Sequence, residues 1–251
     1  MQLFGDYHTH TIYSQHNHGK GTILQNALMA KEKGLKEIAI SDHGFSHKLY
    51  GVNRDLLPKI REEIEEAKNL TGVNIYLGIE ENLLSLDGKI GILPEDLKYL
   101  DIITVGYHKM AKPATVKDKF GLFLPNNLAI FKPSKQRIQK NTLAYLKMLE
   151  TNNINIISHL GVGCPVDVKE VGKFAKQNNV FIELNGKRIA FTDQDITDLV
   201  EQETMFLINS DAHSPERVGE VSKPMAFAIK HQIPIELIAN VDKLPVFKSI
   251  K

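Results

Sequence analysis

The sequence has 251 residues, of which 42% are hydrophobic and 24% are charged, and these proportions are typical of a soluble globular protein. Its formal net charge of +1 provides no overall field for wrapping nucleic acid or adhering to an acidic membrane. The N-terminus lacks the basic and apolar regions of a signal peptide, and no apolar run approaches the roughly 18 residues of a membrane-spanning helix. With Cys164 as its only cysteine, the sequence predicts a cytoplasmic protein without an internal disulfide.

Short apolar runs alternate with amphipathic stretches along most of the chain. The apolar runs, which we predict to be strands, cover residues 3–8, 37–41, 73–80, 101–108, 154–159, 180–185 and 205–210. The amphipathic stretches, which we predict to be helices, lie near residues 21–34, 55–70, 135–151, 167–177, 193–203 and 223–231. This alternation is typical of βα units around a parallel sheet, and about seven strands make a barrel one unit short of eight. An Asp-Gly pair within residues 83–91 predicts a small hairpin.

One segment differs in composition from the rest of the chain. Between Lys109 and Lys140 eight basic residues stand against a single acid, Asp118, which gives a net charge of +7. Since the whole chain carries +1, the remainder carries −6. The segment has three prolines and no clear periodicity before about residue 135. We therefore predict one domain over residues 1–251 with a basic loop insertion at about 109–135.

Histidines and acidic residues lie where the predicted strands end. The set comprises His8, His10, His43, Glu80, His108, His159, Asp211 and His213. In a β/α barrel the carboxyl ends of all parallel strands share one face, so these side chains should converge on one pocket. His8 and His10, at i and i+2 on an extended segment, point to the same side, as a shared metal requires. Imidazole and carboxylate donors without thiolates favour zinc, manganese or iron in an open catalytic site.

Six short motifs carry these residues. They are DYHTHT (6–11), SDHG (41–44), GIE (78–80), GYH (106–108), SHLG (158–161) and SDAH (210–213). In this order they resemble the motifs of the PHP superfamily, named for polymerase and histidinol phosphatase, and especially those of its YcdX-like phosphatases. The resemblance implies a distorted (β/α)7 barrel of the TIM-barrel-like PHP fold. It also implies an enzyme, a phosphoesterase. We expect it to act on phosphate monoesters, since the net charge is near neutral, and to use a metal-activated hydroxide.

The resemblance further implies a cluster of three divalent metal ions, with zinc as the first choice and manganese or iron as alternatives. The implied ligands are His8, His10, Glu80 and Asp211 for the first ion, Glu80, His108 and His159 for the second, and His16, His43 and His213 for the third. His18, two residues beyond His16, is the alternative ligand of the third ion. Glu80 would bridge two ions.

Other residues near the motifs are candidates for supporting roles. Arg188 and Arg217 are candidates for bidentate phosphate binding beside the catalytic Glu80 and Asp211. Asp6 and Asp42 are expected either to orient imidazoles or to bond the backbone of strand-end turns. The stretch from Lys109 to Lys140 is expected to form part of a phosphate-binding wall, because it follows directly from His108.

Three other functions stay open at this point. A PHP-type nuclease would act on nucleotides or oligonucleotides and use the basic stretch, with Phe120, Phe123 and Phe131, as a backbone track. A regulatory module would bind metals without turnover. A metal-dependent amidohydrolase is disfavoured, because no lysine stands out as a metal bridge at a strand end. The sequence favours a small phosphorylated substrate, predicts no membrane association and leaves the oligomeric state open.

Overall fold

A computed structural model describes residues 1–128 and 132–250, and within these ranges seven parallel strands pair in sequence order. The strands are β1 (Gly5–Thr9), β2 (Glu37–Ile40), β3 (Asn74–Asn82), β4 (Ile102–Gly106), β5 (Ile156–Ile157), β6 (Phe181–Asn185) and β7 (Phe206–Asn209). A parallel bridge between Thr9 and Ala212 brings the last strand back to the first. The sheet is therefore a nearly closed barrel, and the predicted (β/α)7 architecture is confirmed.

Helices surround the barrel. They are α1 (Ile23–Glu32), α2 (Leu57–Thr71), α3 (Val116–Asp118), α4 (Leu124–Asn127), α5 (Lys135–Thr151), α6 (Val168–Gln177), α7 (Asp193–Glu201) and α8 (Ser222–Lys230). All but the short α3 and α4 lie where the amphipathic stretches predict them. The longer ones bury their apolar faces against strands that are themselves buried on both sides, which explains the continuous apolar runs of the sequence. Within the described ranges, no helix has both the length and the apolar character needed to cross a membrane.

Two local predictions differ from the structure. Residues 83–91 form no hairpin strands; a turn is closed there by Leu84 N, which donates to Lys89 O at 2.8 Å. The basic segment is not irregular throughout, because α3, a π-helical stretch over Lys119–Phe123 and α4 follow one another. Asp118, its single acid, is buried and accepts hydrogen bonds from Leu86 N and Thr115 Oγ1, so the segment is anchored to the 83–91 turn. Phe131 lies outside the described residues.

The amino end of the barrel is filled by apolar and aromatic side chains. Tyr7, Ile102, Ile156 and Leu207 are buried there in a small core of their own. Phe247, from the segment that follows the last helical turn, packs edge-on against the Tyr7 ring at a centroid distance of 5.0 Å. The C-terminal segment thus covers the end of the barrel opposite the predicted site.

We expect Phe247→Ala to lower the free energy of unfolding by about 2 kcal/mol, because a partly buried aromatic ring is lost from this core. Val246→Ala is the matched control, since Val246 is 90% exposed. Urea denaturation of both variants measures the difference. Equal stability of the two variants would show that the Phe247 contacts contribute nothing to the fold.

Candidate metal centre

The carboxylate of Glu80 lies in the middle of a histidine cluster at the carboxyl end of the barrel. Glu80 is 1% exposed. The nearest nitrogens around its two oxygens are His159 Nε2 at 2.9 Å, His43 Nδ1 at 3.1 Å, His8 Nε2 at 3.4 Å, His108 Nε2 at 3.6 Å and His10 Nε2 at 3.8 Å. Burial alone would raise the pKa of Glu80, but the charges of His108 and His8 offset it and hold that pKa well below its usual value.

The strand ends place these groups on one face, as the alternation of the sequence predicts. His8 lies in β1, Glu80 lies in β3, and His43 forms a parallel bridge with Glu80 just beyond β2. His159 and Asp211 each stand two residues beyond their strands in left-handed backbone conformations, with φ of 32° and 53°. Non-glycine residues rarely adopt such angles, so the chain there is held by its surroundings and turns the side chains toward the cluster.

Three overlapping groups of side chains have donor atoms within 4.8 Å of one another in the described part of the chain. They are His8, His10 and Asp211; His10, His43 and His213; and His43, Glu80 and His108. His10 and His43 each belong to two of the groups, so the groups form one continuous cluster. His159 joins it through its 2.9 Å contact with Glu80.

The close approach of buried nitrogen and oxygen atoms in this cluster fits metal cations. The Nδ1 atom of His159 is buried without a hydrogen-bond partner, and His43 Nδ1 is buried against the Glu80 carboxylate, 3.1 Å from Oε2. The Nε2 atoms of His8 and His10 face each other at 3.1 Å. Buried polar atoms without partners are costly, and lone pairs directed at a common space are what a divalent ion binds. Imidazole and carboxylate donors are the kinds that zinc, manganese and iron accept.

Two side chains that the sequence analysis missed hold the cluster histidines in place. Glu183 Oε1 lies 2.7 Å from His8 Nδ1, and Asn82 Oδ1 lies 2.7 Å from His108 Nδ1. Both contacts fix the ring tautomer that leaves Nε2 facing Glu80. Glu183 had a visible signal, because it is a charged residue between Ile182 and Leu184 in an otherwise apolar strand.

Asp6 and Asp42 bond the backbone and hydroxyl groups of strand-end turns and do not orient imidazoles. Asp42 accepts from Thr11 N at 2.7 Å and from Ser14 Oγ at 2.6 Å. Asp6 accepts from Ser210 N at 3.1 Å and from Gly219 N at 2.8 Å. Of the two roles expected from the sequence, the structure shows hydrogen bonding within the strand-end turns.

The structure places His18, and not His16, beside the cluster. His16 is exposed, whereas His18 Nε2 lies 2.9 Å from His213 Nε2, and the His18 ring is 4.9 Å from that of His43. The cause is a turn in which His16 and Asn17 both have left-handed backbone angles, with φ of 57° and 56°. Spacing within the motif does not reveal this turn, and the geometry favours His18, the alternative ligand, over His16.

A cavity of about 220 Å³ opens above the cluster. The basic residues that line it differ from those expected from the sequence. The lining comprises His18, His43, His47, Tyr50, Glu80, Tyr107, His108, His159, Val162, Lys187, Arg188, Asp211 and His213. Arg188 is exposed at the rim, and Arg217 is exposed and does not belong to the lining. Lys187, which the sequence analysis passed over, places Nζ 3.3 Å from Asp211 Oδ1. Burial lowers the pKa of Lys187.

The basic segment contributes no lysine to this lining within the described residues. Lys109, Lys112, Lys117 and Lys119 are all exposed, and none lines the cavity. Lys119 instead lies over the ring of Phe120 at 5.7 Å. Anchoring of the segment through Asp118 therefore directs its charge to the outer surface, and the expected phosphate-binding wall is not formed by these lysines.

Comparison with known proteins gives a consistent picture. A family model described as "PHP domain" matches residues 6–187. A "probable phosphatase" from Caldanaerobacter subterraneus subsp. tengcongensis is 30% identical, and the alignment covers 100% of this chain and 93% of the relative. Another "probable phosphatase", from Shewanella loihica, is 29% identical over 96% of this chain and 90% of its own length.

A solved structure is similar in fold over the whole length of the chain. It is the histidinol phosphate phosphatase from Lactococcus lactis, complexed with zinc, L-histidinol and phosphate. The TM-score is 0.62 at 14% sequence identity, and the alignment covers 100% of this chain and 99% of that one. At this identity the similarity shows the fold alone.

We expect His18→Ala to weaken binding of zinc or manganese by about 10-fold or more, because an imidazole beside His213 and His43 is removed. His16→Ala is the matched control and should bind metal like the wild type, since His16 is exposed. Equilibrium dialysis against each metal measures both. Loss of metal binding in His16→Ala but not in His18→Ala would reverse the assignment.

Proposed function

The chain belongs to the PHP domain family, and on this basis we propose that it is a phosphatase that hydrolyses small phosphate monoesters at three divalent metal ions. The observation that carries the proposal is the buried Glu80 carboxylate with imidazole nitrogens on every side. A single carboxylate with so many nitrogen donors is suited to bridging two cations. The relatives described as probable phosphatases support hydrolysis of phosphate esters.

We propose three ligand sets built on the overlapping groups of the cluster. They are His8, His10, Glu80 and Asp211; Glu80, His108 and His159; and His18, His43 and His213. The donors are nitrogen and oxygen without sulfur, which suits zinc, manganese or iron. Zinc is our first choice, because the similar Lactococcus lactis structure contains it.

The chemistry needs a nucleophile near neutral pH and compensation of negative charge on the phosphoryl group. Divalent ions supply both when bound, by activating water and by neutralising the oxygens of phosphorus. The charged groups around Glu80 and Asp211 favour the ionised form of these two carboxylates by lowering their pKa. At Asp211 burial would raise the pKa, but His8 and His10 offset burial and hold that pKa well below its usual value. Glu183 and Asn82 keep the Nε2 lone pairs of His8 and His108 directed at the cluster.

The cavity favours a small substrate over an oligonucleotide. Its volume of about 220 Å³ accommodates a phosphate group with a small organic substituent. Tyr50 and Tyr107 line its wall, and the ring of His18 stacks on Tyr50 at 3.8 Å. Lys109, Lys112, Lys117 and Lys119 are exposed and none of them lines this cavity, which argues against a basic track that starts from it. We propose Arg188, at the rim, as a further contact for substrate, whereas the exposed Arg217 is a weaker candidate.

The test is hydrolysis of 4-nitrophenyl phosphate by protein loaded with zinc or manganese, compared with cleavage of a short single-stranded oligonucleotide. We expect turnover of the monoester, loss of turnover after chelation, and no cleavage of the oligonucleotide. Glu80→Gln should reduce the rate more than about 100-fold, because a neutral amide cannot balance two dications.

Glu37→Gln is the matched control for that substitution. Glu37 is also a buried carboxylate, but it accepts from Tyr7 Oη at 2.7 Å at the opposite end of the barrel. We expect this variant to keep its activity. Oligonucleotide cleavage in place of ester hydrolysis would favour the nuclease, and a fully loaded protein without any turnover would favour the regulatory module.

A further inference from the structure

Lys187 brings a positive charge to the cluster itself. Of the lysines and arginines that the structure describes, it is the one whose charged group contacts an imidazole or carboxylate of the cluster. Its Nζ lies 2.6 Å from His213 Nδ1 and 3.3 Å from Asp211 Oδ1. The side chain is 34% exposed and lines the cavity. The ammonium therefore stands between solvent and two of the proposed metal ligands.

The backbone at Lys187 is fixed, so its position is built into the fold. Gly186 N donates to Asn209 O at 2.8 Å, and Lys187 N donates to Asn185 Oδ1 at 2.8 Å. A Cβ at position 186 would collide with the carbonyl oxygen of Ser210, so only glycine allows the ends of β6 and β7 to approach this closely. Lys187 follows this contact directly and is held next to Asp211.

We propose that Lys187 binds a non-bridging oxygen of the substrate's phosphate group. This inference rests on the proposed function, since it takes the cavity to be the phosphate site. An ammonium group has three donors and no acceptor, and its present acceptors are Asp211 and His213. When these two residues bind a metal, His213 has no lone pair left for the ammonium and Asp211 has fewer. The phosphate is then the acceptor within reach of its flexible stem, and their opposite charges strengthen the bond.

The rest of the cavity wall offers the ammonium no other anionic partner. Of the described residues that line the cavity, Glu80 and Asp211 are the only carboxylates, and both lie within the cluster. Arg188 is exposed and lines the rim of the cavity. Lys187 is therefore placed to contact the phosphate at the metals, and Arg188 is placed to contact the outer part of the substrate.

Three variants test this role. Lys187→Gln removes the charge, Lys187→Arg keeps it, and Lys173→Gln removes a matched charge from the exposed face of α6. Calorimetry measures the Kd of inorganic phosphate for each metal-loaded protein, elemental analysis measures its metal content, and steady-state kinetics give KM for 4-nitrophenyl phosphate.

We expect Lys187→Gln to raise both the Kd of phosphate and KM by about 10-fold or more, at unchanged metal content, because a charged hydrogen bond is lost. Lys187→Arg should stay within about 3-fold of the wild type, and Lys173→Gln should match it. An unchanged Kd in Lys187→Gln would overturn the inference, as would a weaker Kd that merely follows loss of metal. If the wild type binds phosphate through Lys187 yet hydrolyses no ester, the proposed function fails, and only the assignment of Lys187 as a phosphate-binding residue stands.

Discussion

Burial of the Glu80 carboxylate is the constraint on which the rest of the structure depends. An isolated ion inside a protein costs several kcal/mol or more, so this carboxylate needs partners on every side. They come from four separate segments, which carry His8, His43, His108 and His159. These segments meet because parallel strands end on one face of a nearly closed barrel. The arrangement of strands that folds the chain thus also assembles the site. Bound metals would further stabilise the folded state.

The two ends of the barrel have different roles: the amino end stabilises the fold, and the carboxyl end carries the candidate site. At the carboxyl end, His43, Glu80 and His159 line a polar cavity. At the amino end, Tyr7 and Phe247 pack in an apolar core, and the buried Glu37 is satisfied by tyrosine hydroxyls. Buried polar groups without partners lower the stability of the folded state. Apolar packing at the amino end of the barrel offsets this loss. This division is the one that β/α barrels of enzymes generally show.

Much of the site could be predicted from sequence because, in a parallel barrel, residues at the carboxyl ends of all the strands lie on the same face. That rule predicts that Glu80, His108 and Asp211, which lie far apart in sequence, converge at one end of the barrel, and the structure brings them to one cavity. It fails where the backbone leaves the strands: the choice between His16 and His18 depends on two left-handed residues in a turn. Lys187 was missed for a similar reason, since its position depends on the tight approach of Gly186 to β7.

The central claim is that the histidine cluster holds three divalent ions around Glu80, and metal stoichiometry tests it most directly. The protein should be purified without chelator, reconstituted with zinc or manganese, freed of unbound metal, and measured by elemental analysis against its concentration. The overlapping groups of donors predict a value close to three ions per chain. A reproducible value of one or none after reconstitution would contradict the account, because Glu80 and its surrounding imidazoles would then have no pair of cations to bridge.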